Sequence, residues 1–174
     1  DNDGKADLLI DARNASDTFS YGGSGYLFLG ANLSESGTHL LSDSDYIFTS
    51  EGPDHFTAFS VADAGDIDAN GHDDILIGAI SADGESTEKS DADAGRVYIV
   101  YGETLGDTRE IPLAEASHIL IGEYGQDRAG TTLSRAGDVD GDGFSDFMVG
   151  AEQFDHKKGD EGKVYLIMGA AQLK

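Results

Sequence analysis

The chain has 174 residues, of which 39% are hydrophobic, so it is long enough to bury the core of one ordinary domain. Its 34 acidic residues outnumber the 11 basic ones, and the formal net charge of -23 opposes binding to nucleic acid or to an anionic membrane and favours cations as partners. It has no cysteine, which excludes disulfides and thiolate metal sites, and no run of 18 apolar residues that would insert into a membrane.

Short apolar runs between Gly, Asp and Ser residues predict an all-β protein. The chain has 24 glycines and only two prolines, which is typical of strands joined by tight turns. A single helical turn is predicted at Leu113–Ala116, directly after Pro112. We predict ten strands, at Asp7–Asp11, Tyr26–Leu29, Tyr46–Thr49, Thr57–Ala62, Asp74–Ile80, Val97–Tyr101, His118–Ile121, Thr131–Ser134, Asp146–Ala151 and Val164–Met168.

One pattern of Asp, Gly and apolar residues occurs three times. The Asp that closes each copy is Asp7, Asp74 or Asp146, at steps of 67 and 72 residues. A period of this size predicts a repeat architecture. The chain starts without Met and in the middle of this pattern, so we expect further repeats upstream.

The second half of each copy matches as well. Each second half is bounded by glycines and contains a tyrosine at the same place, which we expect to pack within the sheets. These segments are Gly23–Gly30 with Tyr26, Gly95–Gly102 with Tyr98 and Gly162–Gly169 with Tyr165. Because Ile47–Gly65 also aligns with Ile119–Gly137, one full repeat has four strands. Repeated four-stranded antiparallel units predict the blades of a β-propeller.

Two complete copies contain a nine-residue acidic loop that is suited to a cation. Oxygen-bearing side chains stand at positions one, three, five and nine, and glycine at position six permits a sharp turn. Position seven would contribute its backbone carbonyl, and an all-oxygen set favours Ca²⁺. The predicted ligands are Asp66, Asp68, Asn70, His72 (carbonyl) and Asp74, then Asp138, Asp140, Asp142, Phe144 (carbonyl) and Asp146. The alternative, ordinary Asp-Gly turns on an acidic surface, does not explain two matches in register with the strands.

The first copy lacks its opening. Asp1, Asp3 and Asp7 match positions three, five and nine, and the carbonyl of Lys5 matches position seven. Position one would lie before the first residue. We therefore predict two complete Ca²⁺ sites and a third, incomplete one that binds more weakly or not at all.

These loops and strands resemble the FG-GAP repeat of integrin α subunits and of many bacterial surface proteins. The loop of that repeat matches Asp66–Asp74 and Asp138–Asp146, and its "GAP" end matches Gly78-Ala79-Ile80 and Gly150-Ala151-Glu152, where the proline is absent. Its "FG" half matches poorly. That half falls on Thr57-Ala58 and Ala129-Gly130.

The resemblance implies a seven-bladed propeller, of which this chain would supply about two and a half repeats. In such propellers the strand before the acidic loop is innermost, and the outermost strand comes from the following repeat. The implied division is residues 1–50 as strands two to four of one blade, residues 55–122 as a complete blade and residues 128–174 as strands one to three of another. Further repeats, or self-association of several copies, would complete the ring.

The resemblance also implies a calcium-stabilised adhesion or protein-interaction module, extracellular or at a cell surface, with a protein or glycan ligand. An alternative is a lectin or an accessory domain of a secreted polysaccharide-active enzyme, with Tyr21, Tyr46, Tyr124 or Phe154 stacking on sugar. Ligand contacts are expected in loops outside the repeat pattern, such as Ser81–Ala94. We predict no enzymatic activity, because the histidines have no triad or metal-ligand spacing and no catalytic motif is present. These histidines are His39, His55, His72, His118 and His156.

Overall fold

The computed structural model describes residues 3–33, 37–84, 92–154 and 161–171. These residues form strands and short 3-10 turns, so the all-β prediction is confirmed. No helix among them is long and apolar enough to cross a membrane. In chain order the strands are β1 (Leu8–Ala12), β2 (Ser24–Phe28), β3 (Tyr46–Thr49), β4 (Thr57–Gly65), β5 (Asp74–Ala79), β6 (Arg96–Val100), β7 (Glu110–Pro112), β8 (His118–Ile121), β9 (Ala129–Gly137), β10 (Asp146–Ala151) and β11 (Lys163–Ile167).

All ten predicted strands are present, three of them with the predicted ends and seven with shifted ends, and the predicted helical turn is a 3-10 turn at Leu113–Glu115. Strand β7 is not among the predicted strands. It has three residues, one of which is a proline, and therefore shows no alternation of apolar and polar side chains.

The strands form three sheets in which chain neighbours pair in antiparallel fashion. The middle sheet has the order β4-β5-β6-β8, and the last sheet has the order β11-β10-β9. The first sheet has the order β1-β2-β3-β7, and β7 lies parallel to β3 at its edge. The three sheets are consecutive blades of an incomplete β-propeller, and they do not close into a ring.

The core lies between the sheets, and the middle sheet is buried on both faces. On β5, Ile75 and Ile77 pack in the cluster that contains Leu27 and Phe48 of the first sheet. The residue between them, Leu76, packs instead against Phe147 of the last sheet. Period-two alternation thus places successive side chains in two different cores.

The recurring tyrosines pack within these sheets, as predicted. Tyr26 and Tyr98 are 5% and 0% exposed, and Tyr165 is half-buried against the core between the middle and last sheets. Tyr165 also donates its hydroxyl hydrogen to Glu123, at 2.8 Å, and Glu123 pairs with Lys163.

Neighbouring sheets are joined by a hydrogen bond between a glutamate of one sheet and a basic residue of the next. The basic residue is the first residue of the third strand in its sheet. Glu51 follows β3 and accepts a hydrogen bond from Arg96, the first residue of β6, at 2.7 Å. Glu123 follows β8 and accepts one from Lys163, the first residue of β11. The two contacts fix neighbouring sheets against each other at equivalent places.

Candidate metal centre

Two acidic loops connect the first and second strands of the middle and last sheets. Loop A is Asp66–Asp74, between β4 and β5, and loop B is Asp138–Asp146, between β9 and β10. Each loop follows a glycine in the left-handed region, Gly65 with φ +73° and Gly137 with φ +74°. These glycines turn the chain out of the first strand where most other residues would be strained.

Each loop brings three carboxylates together. Asp66, Asp68 and Asp74 each offer an oxygen atom within 4.8 Å of the others, and so do Asp138, Asp140 and Asp146. The last aspartate is buried in both cases, because Asp74 is 1% exposed and Asp146 is 0% exposed. The structure therefore assembles three of the predicted side chains in each loop.

The first aspartate of each loop is fixed by backbone N–H groups. The carboxylate of Asp66 accepts hydrogen bonds from the amides of Asn70 and Gly71, at 3.0 and 2.9 Å. The carboxylate of Asp138 accepts them from Gly141, Asp142 and Gly143, at 2.6, 3.0 and 3.0 Å. The two loops thus share two equivalent backbone hydrogen bonds to their first aspartate.

The side chain at position five of each loop accepts a hydrogen bond from the backbone two residues later. Asp142 does not belong to the close group of three carboxylates in loop B, and its Oδ1 accepts this bond from Phe144 N at 3.0 Å. In loop A the Oδ1 of Asn70 accepts the same bond from His72 N, at 2.8 Å. Coordination by these side chains, and by the carbonyls of His72 and Phe144, stays a prediction.

The last aspartate joins each loop to the end of the third strand. The Oδ1 of Asp74 accepts a hydrogen bond from Gly102 N at 2.9 Å, and the Oδ1 of Asp146 accepts one from Gly169 N at 2.8 Å. The other oxygen of each carboxylate accepts one from the amide at loop position two, Ile67 at 2.9 Å or Val139 at 2.6 Å.

Gly102 and Gly169 are predicted from the sequence as boundaries of the repeat but not as partners of the acidic loops. Gly30 has the same role in the first copy, because its N–H donates to Asp7 Oδ1 at 2.8 Å. The sequence pattern that could have predicted this contact is the recurrence of one glycine in register with each closing aspartate.

Burial, together with the crowding of negative charge, raises the pKa of carboxyl groups in both loops. The pKa of Asp74 is raised from 3.8 to about 6, chiefly by burial; the hydrogen bonds from Gly102 and Ile67 oppose this rise, and the neighbouring carboxylates of Asp68 and Asp66 add to it. Desolvation and three neighbouring carboxylates also raise the pKa of Asp140. The oxygen-only donor set and this uncompensated charge fit a hard divalent cation such as Ca²⁺.

The incomplete first loop differs from loops A and B. Asp1 lies outside the described residues, and among the described residues Asp3 and Asp7 belong to no group of three close carboxylates. Asp3 Oδ1 accepts a hydrogen bond from Lys5 N at 2.8 Å. The weaker calcium site of the first loop, including coordination by the carbonyl of Lys5, stays a prediction.

The aromatic residues considered for sugar stacking are divided between core and surface. Phe154 is 8% exposed, and Tyr46 is half-buried with its hydroxyl donating to Gly106 O at 3.0 Å. Tyr21 and Tyr124 are 54% and 52% exposed. The ring of Tyr124 is tilted by 52° from that of Phe154, so these two do not form a flat platform.

The histidines outside the acidic loops are spread over the molecule. His118 Nε2 lies 2.9 Å from the hydroxyl of Tyr101, and the ring of His39 contacts Phe28 edge to face. His55 is half-buried, and burial lowers its pKa. His156 lies outside the described residues, as does half of the predicted ligand loop Ser81–Ala94, namely residues 85–91.

Comparison with known proteins identifies the repeat. The family model described as the FG-GAP repeat matches residues 129–167, which include β9, loop B, β10 and β11. The match therefore covers one acidic loop together with the three strands around it.

Integrin α chains are among the relatives of this chain. Integrin alpha-PS2 of Drosophila melanogaster is 38% identical over 105 residues, which are 60% of this chain and 7% of that protein. Integrin alpha-7 of Mus musculus is 31% identical over 152 residues, or 86% of this chain and 11% of that protein. Integrin alpha pat-2 of Caenorhabditis elegans is 35% identical over 92 residues, or 53% of this chain and 7% of that protein. The chain thus spans about a tenth of these relatives or less. Residues 129–167 therefore match the FG-GAP repeat, and the chain is similar to integrin α chains over 53–86% of its length.

Proposed function

We propose that loops A and B each bind one Ca²⁺ and that the ions stabilise the blades. The observation that carries the proposal is the pair of close carboxylate groups, each containing an aspartate that is 0–1% exposed. Buried carboxylates that lie this close together repel one another unless a cation is present. The proposed ligands are Asp66, Asp68, Asn70, the His72 carbonyl and Asp74 in loop A, and Asp138, Asp140, Asp142, the Phe144 carbonyl and Asp146 in loop B.

The bound ion would neutralise the carboxylates, and the chain's own groups would hold the loop in place. The amides of Gly71 and Gly143 orient the first aspartate of their loops. Gly102 and Gly169 anchor the last aspartate to the third strand of the sheet. The ion therefore acts on the connection between the first three strands of a blade, and its role is structural.

Thermal unfolding with and without calcium tests this role. A ligand that binds only the folded state at about 100 times its Kd adds about 2.7 kcal/mol per site, so the melting temperature should rise by several degrees in calcium and fall in chelator. The double variant Asp68→Asn, Asp140→Asn should lose most of the rise. Glu115→Gln, which removes one charge from an exposed residue outside the loops, should keep it. Equal transitions in calcium and in chelator for the unaltered chain would contradict the proposal.

We propose further that the chain is part of an extracellular or cell-surface module that binds a protein ligand and has no enzymatic activity. The similarity to integrin α chains supports this role. Further repeats would complete the propeller, because the three sheets do not close into a ring.

Cell attachment to the immobilised chain tests the adhesion role. We expect attachment in calcium, less attachment in chelator, and little attachment to the Asp68→Asn, Asp140→Asn variant. A hydrolase screen on the same preparation tests the alternative of enzymatic activity. Turnover of a substrate without calcium-dependent attachment would overturn the proposal of a binding module.

A further inference from the structure

Loops A and B touch each other along a seam between the middle and last sheets. Two backbone hydrogen bonds cross the seam, from Ser145 N to Asp66 O and from Ala170 N to Ile67 O, both at 2.9 Å. On one side lie the first two residues of loop A. On the other lie the residue before Asp146 and the residue after Gly169.

Both bonds end next to groups that hold the proposed ions. Asp66 is a proposed ligand of loop A, and Ser145 is bonded covalently to Asp146, a proposed ligand of loop B. Ile67 donates its N–H to Asp74 in loop A, while its carbonyl accepts from Ala170. Ala170 follows Gly169, whose N–H holds Asp146. One peptide segment, Asp66–Ile67, is therefore bonded to the anchoring groups of both loops.

The seam has little room to deform. The side chain of Ile67 is 0% exposed and packs in the core between the middle and last sheets. A Cβ atom placed on Gly169 would lie 2.4 Å from Ser145 O and 2.8 Å from Ile67 O. A shift of Asp66–Ile67 must therefore move the anchor of Asp146 as well.

Arg135 adds a side-chain connection across the same seam. Its guanidinium donates to Asp63 Oδ2 and to Ser145 Oγ, both at 3.3 Å, and lies 3.8 Å from Asp73 Oδ1. Asp73 precedes the last ligand of loop A, and Ser145 precedes the last ligand of loop B. Arg135 is thus a positioning residue at equivalent places of both loops.

We infer that the two loops bind Ca²⁺ cooperatively, because an ion in either loop orders the Asp66–Ile67 segment and the seam that the other loop needs. The inference rests on the proposed calcium sites. Binding of the first ion is weakened by the free energy needed to order the seam, whereas the second ion binds to a segment that is already ordered. Coupling between sites is reciprocal, so each ion raises the affinity of the other loop by the same factor, about fivefold or more.

The sign of the effect separates this mechanism from direct electrostatics. Two neighbouring divalent ions repel each other, which lowers the affinity for the second ion. Coupling through the seam raises that affinity. At a salt concentration of about 1 M, where the Debye length is about 3 Å, the repulsion is screened and the seam remains.

Calcium titration calorimetry at high salt on single-loop variants tests the coupling. In Asp140→Asn, which weakens loop B, we expect loop A to bind calcium about fivefold more weakly than in the unaltered chain. In Asp68→Asn, which weakens loop A, loop B should lose affinity by the same factor. Glu115→Gln also removes one negative charge, but at a position outside both loops. It should leave the calcium affinities of both loops unchanged.

Substitution of Arg135 tests the seam itself. Arg135→Gln should leave calcium binding at both loops but reduce the coupling factor, and Arg135→Lys should restore part of it. An unchanged factor in Arg135→Gln would overturn the role of Arg135. Two loops that bind independently of each other would overturn the coupling and leave the proposed calcium sites intact, whereas no binding at either loop would overturn both.

Discussion

Three glycines, which follow strands β2, β6 and β11, permit the acidic loops to close. A Cβ atom on Gly30, Gly102 or Gly169 would lie 2.3, 2.3 or 2.4 Å from a carbonyl oxygen, in each case that of the residue before the closing aspartate. The same glycine donates its N–H to that aspartate. The requirement for glycine at these places is steric, since any side chain would separate the loop from the strand.

Gly102→Ala should therefore destabilise the protein by about 2 kcal/mol or more, because a backbone carbonyl cannot move aside as the end of a side chain can. Gly106 is the matched control. Nothing lies within 4 Å of a Cβ atom placed there, so Gly106→Ala should change the free energy of unfolding by less than about 0.5 kcal/mol. Urea unfolding of both variants gives the comparison, and equal destabilisation would contradict the steric account.

Asp74 makes the stability of the calcium-free protein depend on pH. Its pKa is about 6 in the folded protein and 3.8 ordinarily, so the folded state binds a proton more tightly than the unfolded state. Stability should therefore fall as pH rises from about 4 to about 6, and the full penalty is present above that window. Calcium binds the ionised carboxylate and should weaken this dependence.

Unfolding in chelator across this pH window measures the effect. General charge repulsion in this acidic chain acts in the same direction, so the decisive quantity is the difference between the unaltered chain and Asp74→Asn. The variant should show the shallower loss of stability with pH. Equal slopes in the two chains would rule out Asp74 as the titrating group.

Strand β7 shows how an element of the molecule can depend on a distant partner. The strand lies between two segments of the middle sheet in sequence, yet it pairs with Ile47–Thr49 of the first sheet. Arg109, just before it, donates to Ser44 O at 2.9 Å and to Ser42 O at 2.6 Å. The backbone carbonyl of Arg109 accepts from Ile47 N at 2.8 Å. This edge strand covers the hydrogen-bonding groups of β3 that would otherwise be open to another chain.

Arg109→Ala should loosen β7 without disturbing the acidic loops. Loss of the two hydrogen bonds to carbonyl groups is expected to cost about 1 kcal/mol. Amide exchange should accelerate in β3 and β7 and stay unchanged in β10. Arg13→Ala removes a guanidinium that lies 5.1 Å from the ring centre of Phe59 and serves as the control, since β3 and β7 should then keep their protection. Unchanged exchange in Arg109→Ala would show that β7 is held by other contacts.

At the scale of the whole molecule, equivalent positions of different blades have different burial. Val97 and Ile99 on β6 are 0% exposed because the last sheet packs against them. Their counterparts on β11, Val164 and Leu166, are 67% and 44% exposed. Among the described residues, no further sheet covers that face of the last blade. The same apolar pattern thus forms a core in one blade and a surface in the next.

Alanine substitution at the two equivalent positions measures this difference. Ile99→Ala should cost about 2–5 kcal/mol, because it leaves a cavity between two packed sheets. Leu166→Ala should cost less than about 1 kcal/mol in the isolated chain. Urea unfolding compares the two, and a large cost at Leu166 would show that an additional blade or a second copy covers this face in solution.

Ten of the eleven strands and the two complete acidic loops are predicted from the sequence alone, whereas the contacts that join them depend on the tertiary structure. The apolar runs of β5 and β10 and the nine-residue spacing of the loops depend on residues close in the chain, so they can be recognised without the fold. The anchoring of Asp74 by Gly102 and of Asp146 by Gly169 joins residues 28 and 23 positions apart. The seam from Ser145 to Asp66 and the pairing of β7 with β3 span longer separations still. Such contacts exist only once the sheets have packed, because burial brings together groups that no local pattern places side by side.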